Sequence, residues 1–259
     1  MALLSPEVYL KKQIAAVQEY SILAGAAISD IFSRPHYWAD IFTQMDSIGV
    51  GSLPIIILTG FFTGCVLALQ SATALTQFGA ISMTGSLVAL SMVKELGPVL
   101  TGLMVSGRNA AGMASELGSM KVTEQLDAMR ALGTDPIRKL VTPRLVATVF
   151  MLFFLTIIAD AFGIAGGALM SVTILGLNAS TYLHDSYRGL VHGDIVQGLT
   201  KPLFSGFIIA TVGCYFGMKT TGGTQGVGRA TTQAVVVSSV LIIVVDLLVT
   251  RAMIGIFGH

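Results

Sequence analysis

Charged residues are scarce in this sequence. Of its 259 residues, 11% are charged and 53% are hydrophobic, whereas soluble globular domains carry about 25% charged residues. This composition excludes a soluble enzyme and a disordered chain. The formal net charge is only +1, which argues against a nucleic-acid-binding protein because such proteins need a strongly basic surface. The chain is therefore predicted to be a polytopic membrane protein.

Cysteine is rare, and a nucleotide-binding loop is absent. Cys65 and Cys214 are the two cysteines, and both lie within apolar segments, where a thiol behaves as a small hydrophobic side chain. We expect neither a disulfide nor a metal site from them. The sequence has no G-x-x-x-x-G-K-[ST] motif, which cradles the phosphates of ATP in many ATPases. The chain is therefore expected to be no enzyme and to bind no cofactor, so that ATP and Mg²⁺ belong to a partner chain.

Long hydrophobic segments are abundant. A helix needs about 20 apolar residues to cross a hydrocarbon core of about 30 Å. Five segments meet or nearly meet this requirement, namely residues 48–69, 81–105, 145–174, 196–218 and 234–257. Their continuous apolar character disfavours a β-barrel, whose strands alternate in polarity. The predicted fold class is all-α, with an N-terminal interfacial helix, five transmembrane helices and a cytoplasmic coupling helix between the second and third.

The N-terminal segment, residues 1–45, differs from the membrane domain predicted over 46–259. Leu10, Ile14, Val17 and Ala24 recur at helical spacing, with polar residues on the opposite side. A helix lying in the membrane interface fits this pattern. A cytoplasmic helix packed on a partner is the alternative.

Lysine and arginine are distributed unequally between the two sides of the predicted bundle. One side carries Lys11, Lys12, Arg34, Arg108, Lys121, Arg130, Arg138, Lys139, Arg144, Lys219 and Arg229, and the other carries only Arg188. Cytoplasmic loops accumulate such residues. We therefore expect the N-terminus to be inside the cell and the C-terminus outside.

The polar segment between the second and third spans predicts a short coupling helix at about residues 121–133. Within it, Leu126, Met129 and Leu132 share one side. Gly133 suits a helix C-terminal cap, and Pro136 cannot continue the helix. Such a helix can receive a mechanical push from a soluble motor, and an ordinary interfacial loop helix is equally compatible with the spacing.

Several charges fall inside the predicted spans. A charge at mid-bilayer costs at least about 2.5–3.5 kcal/mol, so each needs a partner or a wet cavity. We predict that Glu95, Lys201 and Asp246 form a buried cluster, which leaves Lys94 turned toward a cavity where it contacts a lipid phosphate. The alternative is that these residues are static pairs that pin helices together. Asp160 has no evident partner.

Four blocks of sequence resemble the MlaE permease family, the membrane subunits of ABC-type lipid transporters that work with MCE proteins. The blocks are residues 94–100 (KELGPVL), 107–118 (GRNAAGMASELG), 124–136 (EQLDAMRALGTDP) and 226–236 (GVGRATTQAVV), the last followed by Asp246. The resemblance extends from about residue 48 to the end of the chain.

The resemblance implies a dimeric permease, of identical or paralogous copies, in the inner membrane of a bacterium with two membranes. It implies a cytoplasmic ATPase dimer that docks on residues 121–135, a periplasmic MCE-domain ring and a small cytoplasmic regulatory subunit. The residues implied in coupling to the ATPase are Glu124, Leu126, Asp127, Met129, Arg130 and Gly133. The C-terminus would then be periplasmic.

The resemblance also implies a lipid-holding cavity between the two permease copies. The positions implied to face it are Leu67, Gln70, Ala74 and Phe78. From the residues alone, 70–79 is predicted to be a polar, uncharged turn at a periplasmic crossing, with an inert loop as the alternative.

The expected function is transport of phospholipid, or a related lipid, between the inner membrane and a periplasmic carrier, driven by a partner ATPase. One alternative is an ion-coupled secondary transporter that uses Glu95, Asp160 and Asp246 as a proton relay. A second alternative is a scaffold subunit that transports nothing.

Overall fold

The computed structural model describes residues 6–31, 33 and 37–257. Arg34 and the outermost residues of the predicted segments 1–45 and 46–259 lie outside this part of the chain. The helices are α1 (Pro6–Ile31), α2 (Trp38–Gln77), α3 (Ile81–Val122), α4 (Gln125–Ala131), α5 (Ile137–Thr173), α6 (Ala179–Arg188), α7 (His192–Met218) and α8 (Gly223–Phe257). The described residues include no strand, as the predicted all-α class requires.

Five of these helices, α2, α3, α5, α7 and α8, are long and apolar enough to cross a membrane. The predicted number of spans is therefore confirmed. The helices extend beyond the hydrophobic segments, because polar residues at membrane boundaries continue a helix as readily as apolar ones. At its N-terminal end, for example, α8 begins at Gly223, whereas hydropathy predicted a start at residue 234.

One predicted turn is wrong and one predicted span ends too early, because the helices continue through both regions. α2 extends to Gln77, so most of the predicted turn at residues 70–79 is helical. α3 likewise continues to Val122, well past the predicted end of the second span at residue 105. The coupling helix, predicted over about 121–133, is shortened to α4, residues Gln125–Ala131.

Small residues bring α2 and α5 into close contact. At Gly60 an added Cβ would lie 2.7 Å from the carbonyl oxygen of Ala159, and at Gly64 it would lie 2.8 Å from the Cα of Gly163. These distances leave no room for a side chain. Such contacts favour association of membrane helices, where packing replaces the hydrophobic effect as the driving force.

Three π-helical turns interrupt the spanning helices. They are Met92–Leu96 and Ser106–Ala110 in α3 and Ile137–Val141 at the start of α5. The first lies directly before Gly97 and Pro98, and proline has no N–H to continue the usual pattern of hydrogen bonds. Because π turns often occur at functional sites, the first one directs attention to Lys94 and Glu95 within it.

The N-terminal helix α1 packs on α5 and α7. Leu23 and Ala27 are buried in the core there, while Ile14 and Val17 remain more than 60% exposed. The hydroxyls of Tyr20 and Thr211 are 2.8 Å apart. One face of α1 thus binds the bundle, and part of the predicted apolar stripe faces outward.

Candidate functional site

A buried lysine joins three spanning helices through two carboxylates. Lys201 in α7 is 2% exposed, lies 3.0 Å from a carboxylate oxygen of Asp246 in α8 and also pairs with Glu95 in α3. Gln197 and Thr250 each donate a hydrogen bond of 3.3 Å to Glu95. Pairing removes much of the cost of placing charge inside a membrane. The structure therefore brings together the three residues that the sequence analysis grouped.

Lys94, the neighbour of Glu95, has a carboxylate partner that the sequence analysis did not predict. Its ammonium lies 2.9 Å from Asp194 in the first turn of α7. The other carboxylate oxygen of Asp194 accepts the backbone N–H of Val191 at 3.0 Å. A lipid phosphate would have to compete with Asp194 for Lys94, so the predicted phosphate contact of Lys94 stays a prediction.

A groove opens sideways between α2 and the first π turn of α3. Its volume is about 340 Å³, and it is lined by Phe62, Thr63, Val66, Leu67, Gln70 and Leu96. Leu96 follows Glu95 directly, so the groove lies next to the charged cluster in sequence and in space. Two of the predicted cavity residues, Leu67 and Gln70, therefore line this groove.

The other two predicted cavity residues do not line the groove. Ala74 is exposed on the next turn of α2, and Phe78 is 82% exposed just past the end of that helix. Both lie beyond Gln70 along the same helix. Ala74 and Phe78 therefore lie between the groove and the connection from α2 to α3.

The short helix α4 is held at both ends by local structure. Glu124 precedes it in the left-handed conformation, with φ of 59°. At the other end Gly133 has φ of 78°, and the N–H groups of Gly133 and Thr134 return to the carbonyls of Arg130 and Met129. This is a Schellman motif, so the predicted capping role of Gly133 is confirmed.

The exposed surface of α4 differs from the predicted one. Leu126 is fully buried against the bundle, whereas Leu132 is 84% exposed. The predicted common side is therefore wrong, because the helix ends at Ala131 and Leu132 belongs to its capping turn. Met129 is half-buried, and Glu124 and Arg130 are exposed. A partner protein can therefore reach Glu124, Arg130 and Leu132 but not Leu126.

Charged side chains also fix α4 to the end of α3. Lys121 lies 2.8 Å from Asp127, and Arg130 lies 3.0 Å from the same carboxylate. The hydrogen bond from Lys121 is the main reason why the pKa of Asp127 is lowered from its ordinary value, with the charge of Arg130 acting in the same direction. Asp127 therefore remains ionised and orients α4 at neutral pH.

The comparison with known families agrees with this architecture. The family model described as Permease MlaE matches residues 41–252. The chain belongs to the MlaE permease family. The intermembrane phospholipid transport system permease protein MlaE of Haemophilus influenzae is 35% identical to it, over 90% of both chains.

Further relatives of this MlaE-family chain come from other lineages. A probable ABC transporter permease protein of Rickettsia bellii is 45% identical over 91% of each chain. The TRIGALACTOSYLDIACYLGLYCEROL 1 protein, chloroplastic, of Arabidopsis thaliana is 36% identical over 93% of this chain and 68% of its own length.

Three ion pairs that the sequence pattern did not predict connect α5 to α3, α1 and α2. Arg144, 7% exposed, lies 2.6 Å from Glu116. Arg138 lies 3.3 Å from Asp30 of α1, and Lys139 pairs with an aspartate at the start of α2. In the sequence, these two arginines and one lysine indicated only the orientation of the bundle. Their acidic partners lie far away in sequence, so no local pattern could reveal the pairs.

Asp160 in α5 remains without a partner among the described residues. It is 8% exposed, and its Oδ1 has no hydrogen-bond partner there. It faces Gly97 of α3, where an added Cβ would overlap the carboxylate. Gly97 therefore provides the space that Asp160 occupies, next to the first π turn of the MlaE fold.

No group of three or more histidine, cysteine, aspartate or glutamate residues within the described ranges could hold a metal ion. Asp194, which precedes the predicted span at residues 196–218, is part of α7. Cys65 and Cys214 are free thiols and both are buried.

Proposed function

We propose that this chain is the permease subunit of an ABC-type transporter that moves phospholipid between the membrane it spans and a periplasmic MCE-domain carrier. The observation that carries the proposal is the lateral groove beside the charged first π turn. An open groove with an apolar wall and a polar edge at Gln70 suits a molecule that has both an acyl chain and a headgroup. The family membership and the name of the Haemophilus influenzae relative support the same substrate class.

The energy source in this proposal is a partner ATPase. The chain has no phosphate-binding loop of its own, and the Rickettsia bellii relative is named as a probable ABC transporter permease. The exposed part of α4, with Glu124, Arg130 and Leu132, is the proposed docking surface. Because α4 is joined to α3 by the Lys121–Asp127 pair, a movement of α4 would act on the helix that carries Lys94 and Glu95.

The proposed assembly is a dimer of permease chains in the bacterial inner membrane. Apolar side chains on α8 are widely exposed, including Val240 at 55% and Leu247 at 68%, so that this helix can face lipid or a second copy. The distribution of lysine and arginine supports a cytoplasmic N-terminus and a periplasmic C-terminus. A periplasmic MCE ring and a small cytoplasmic regulatory subunit complete the proposal.

The experiment uses the complex purified from native membranes and reconstituted in vesicles with a fluorescent phospholipid. Lipid transfer should stop when ATP is withheld and should continue when an uncoupler removes the proton gradient. Transfer that continues without ATP but stops with the uncoupler would contradict the proposal and favour the proton relay. The observation that supports the proton relay is that Asp160 has no partner among the described residues. The wild-type complex should carry lipid, and Leu67→Trp should reduce the amount. A wild-type complex that carries no lipid would favour a scaffold subunit.

A further inference from the structure

A second opening lies at the junction of α1, α2 and α5, away from the groove beside Leu96. It is a cavity of about 80 Å³ whose wall includes Asp30, Tyr37, Trp38 and Arg138. Trp38 is 61% exposed. Tyrosine and tryptophan are typical of the level where lipid headgroups meet the acyl chains. The cavity therefore has the side chains of a membrane–water interface.

An apolar groove continues from this cavity along α5, toward the middle of that helix. Its volume is about 370 Å³, within the range of small-molecule sites, and its wall includes Ile28, Val149, Phe150, Phe153, Leu203 and Phe207. Ile31 and Val146 line both the cavity and the groove, so the two form one continuous depression. We call it the α1–α5–α7 depression.

The length of the depression matches one leaflet of a bilayer. Thr142 lies in the cavity wall and Phe153 in the groove wall. These residues are eleven positions apart on α5, which corresponds to about 17 Å at 1.5 Å per residue. Half of a hydrocarbon core of about 30 Å is about 15 Å. An acyl chain from one leaflet therefore fits along the depression.

The charges at the mouth include both signs. Arg138 and Asp30 form an ion pair of 3.3 Å, with side chains 28% and 15% exposed. Outside the cavity wall Lys139 pairs with Asp40, and its ammonium lies 4.2 Å from the centre of the ring of Tyr37, which lines the cavity. A headgroup that carries a phosphate and an ammonium would exchange partners with these two ion pairs, the phosphate binding the cations and the ammonium the carboxylates.

We propose that the α1–α5–α7 depression binds a zwitterionic phospholipid such as phosphatidylethanolamine, with its headgroup at Arg138 and Lys139 and an acyl chain along Phe150 and Phe153. This site shares no lining residue with the groove at Leu67. In this proposal the bound lipid is a resident lipid that contacts α1, α5 and α7. It is not the transported molecule.

The test uses the full chain, with its native partners, in nanodiscs of phosphatidylethanolamine and phosphatidylglycerol in equal parts. The probe is phosphatidylethanolamine with a diazirine near the end of one acyl chain, and captured peptides are identified by mass spectrometry. Wild-type protein should capture the probe on the α5 peptide that contains Phe150 and Phe153. Leu203→Trp, which fills the groove, should reduce this capture about tenfold.

Leu58→Trp is the matched control, because Leu58 is 57% exposed on α2 and lines neither the cavity nor the apolar groove, and it should leave capture unchanged. Ile28→Trp fills the groove from the α1 side and serves if the Leu203 variant fails to fold. Arg138→Gln should reduce the preference for phosphatidylethanolamine over phosphatidylglycerol. Equal capture by wild type and both groove-filling variants, or cross-links from this face to a second copy of the chain, would overturn the proposal.

Discussion

The ammonium of Lys201 lies 3.0 Å from the carboxylate of Asp246, and the Lys201 side chain is only 2% exposed. Glu95 shares the same cation from α3. Removing one member of a buried ion pair leaves an uncompensated charge, which costs about 3–5 kcal/mol. Lys201 is therefore the residue on which the contact among α3, α7 and α8 depends most strongly.

Lys201→Met should strongly reduce the thermal stability of the purified protein and its accumulation in membranes, because two carboxylates would then face each other without a cation. Glu95→Gln should be much milder, since Lys201 keeps Asp246 and Glu95 is 41% exposed. The triple variant with Glu95→Gln, Asp246→Asn and Lys201→Met should recover much of the lost stability. If Lys201→Met is as stable as the wild type, the cluster does not pin the helices.

The glycine contact between α2 and α5 gives a second prediction. Gly64→Ala should destabilise the protein by about 1–3 kcal/mol, because the new methyl group would overlap the backbone at Gly163. Gly25→Ala in α1 is the control, since nothing lies within 4 Å of its added Cβ, and it should be neutral or slightly stabilising. The free energy of unfolding of both variants can be measured in detergent. Equal stability of the two variants would show that α2 and α5 are not closely packed at Gly64.

Hydropathy predicted the five spans because the cost of exposing polar groups to lipid dominates their composition. It did not predict the helix boundaries, because helices continue beyond the apolar segments. Examples are the start of α8 at Gly223 and the end of α2 at Gln77. The charged cluster could be predicted because charges inside a membrane need partners. The pairing of Lys94 with Asp194 could not be predicted, because Asp194 lies outside the predicted span at residues 196–218. The amphipathic pattern of α4 likewise did not reveal that Leu126 faces the bundle.

The attachment of α1 to α7 should depend on pH through Glu19 and Lys219. The hydrogen bond from Lys219 is the main reason why the pKa of Glu19 lies below its ordinary value of 4.5, and it also raises the pKa of Lys219 above 10.5. The stabilisation from Glu19 is therefore present above pH 4.5 and is lost as the pH falls through the lower folded pKa. The stabilisation from Lys219 is present below pH 10.5 and is lost as the pH rises through the higher one.

The protection of the α1 amides against hydrogen exchange, corrected for the slower intrinsic exchange at low pH, should therefore fall at acid pH in the wild type. In Glu19→Gln the exchange should be faster at neutral pH and should lose this dependence. Tyr20→Phe is the control, because it removes a neutral hydrogen bond to Thr211 and should leave the pH dependence in place. An identical pH profile for Glu19→Gln and the wild type would exclude this pair as the anchor of α1.

The proposed docking surface on α4 predicts a pattern of cross-links. A photoreactive amino acid at Leu132, which is 84% exposed, should capture an ATPase subunit in native membrane vesicles. The same amino acid at Leu126, which is buried, should capture none. Capture at neither position, or at Leu126 alone, would contradict docking on the exposed surface of α4.

The most direct test of lipid transport through the lateral groove is photo-capture of phospholipid at Leu67 in the reconstituted complex, measured with and without ATP. Leu58, which is 57% exposed on the same helix and lies outside the groove, is the control position. We expect a phospholipid adduct at position 67 whose amount changes when ATP is added, and a constant amount at position 58. Equal capture at the two positions with no response to ATP would contradict the account.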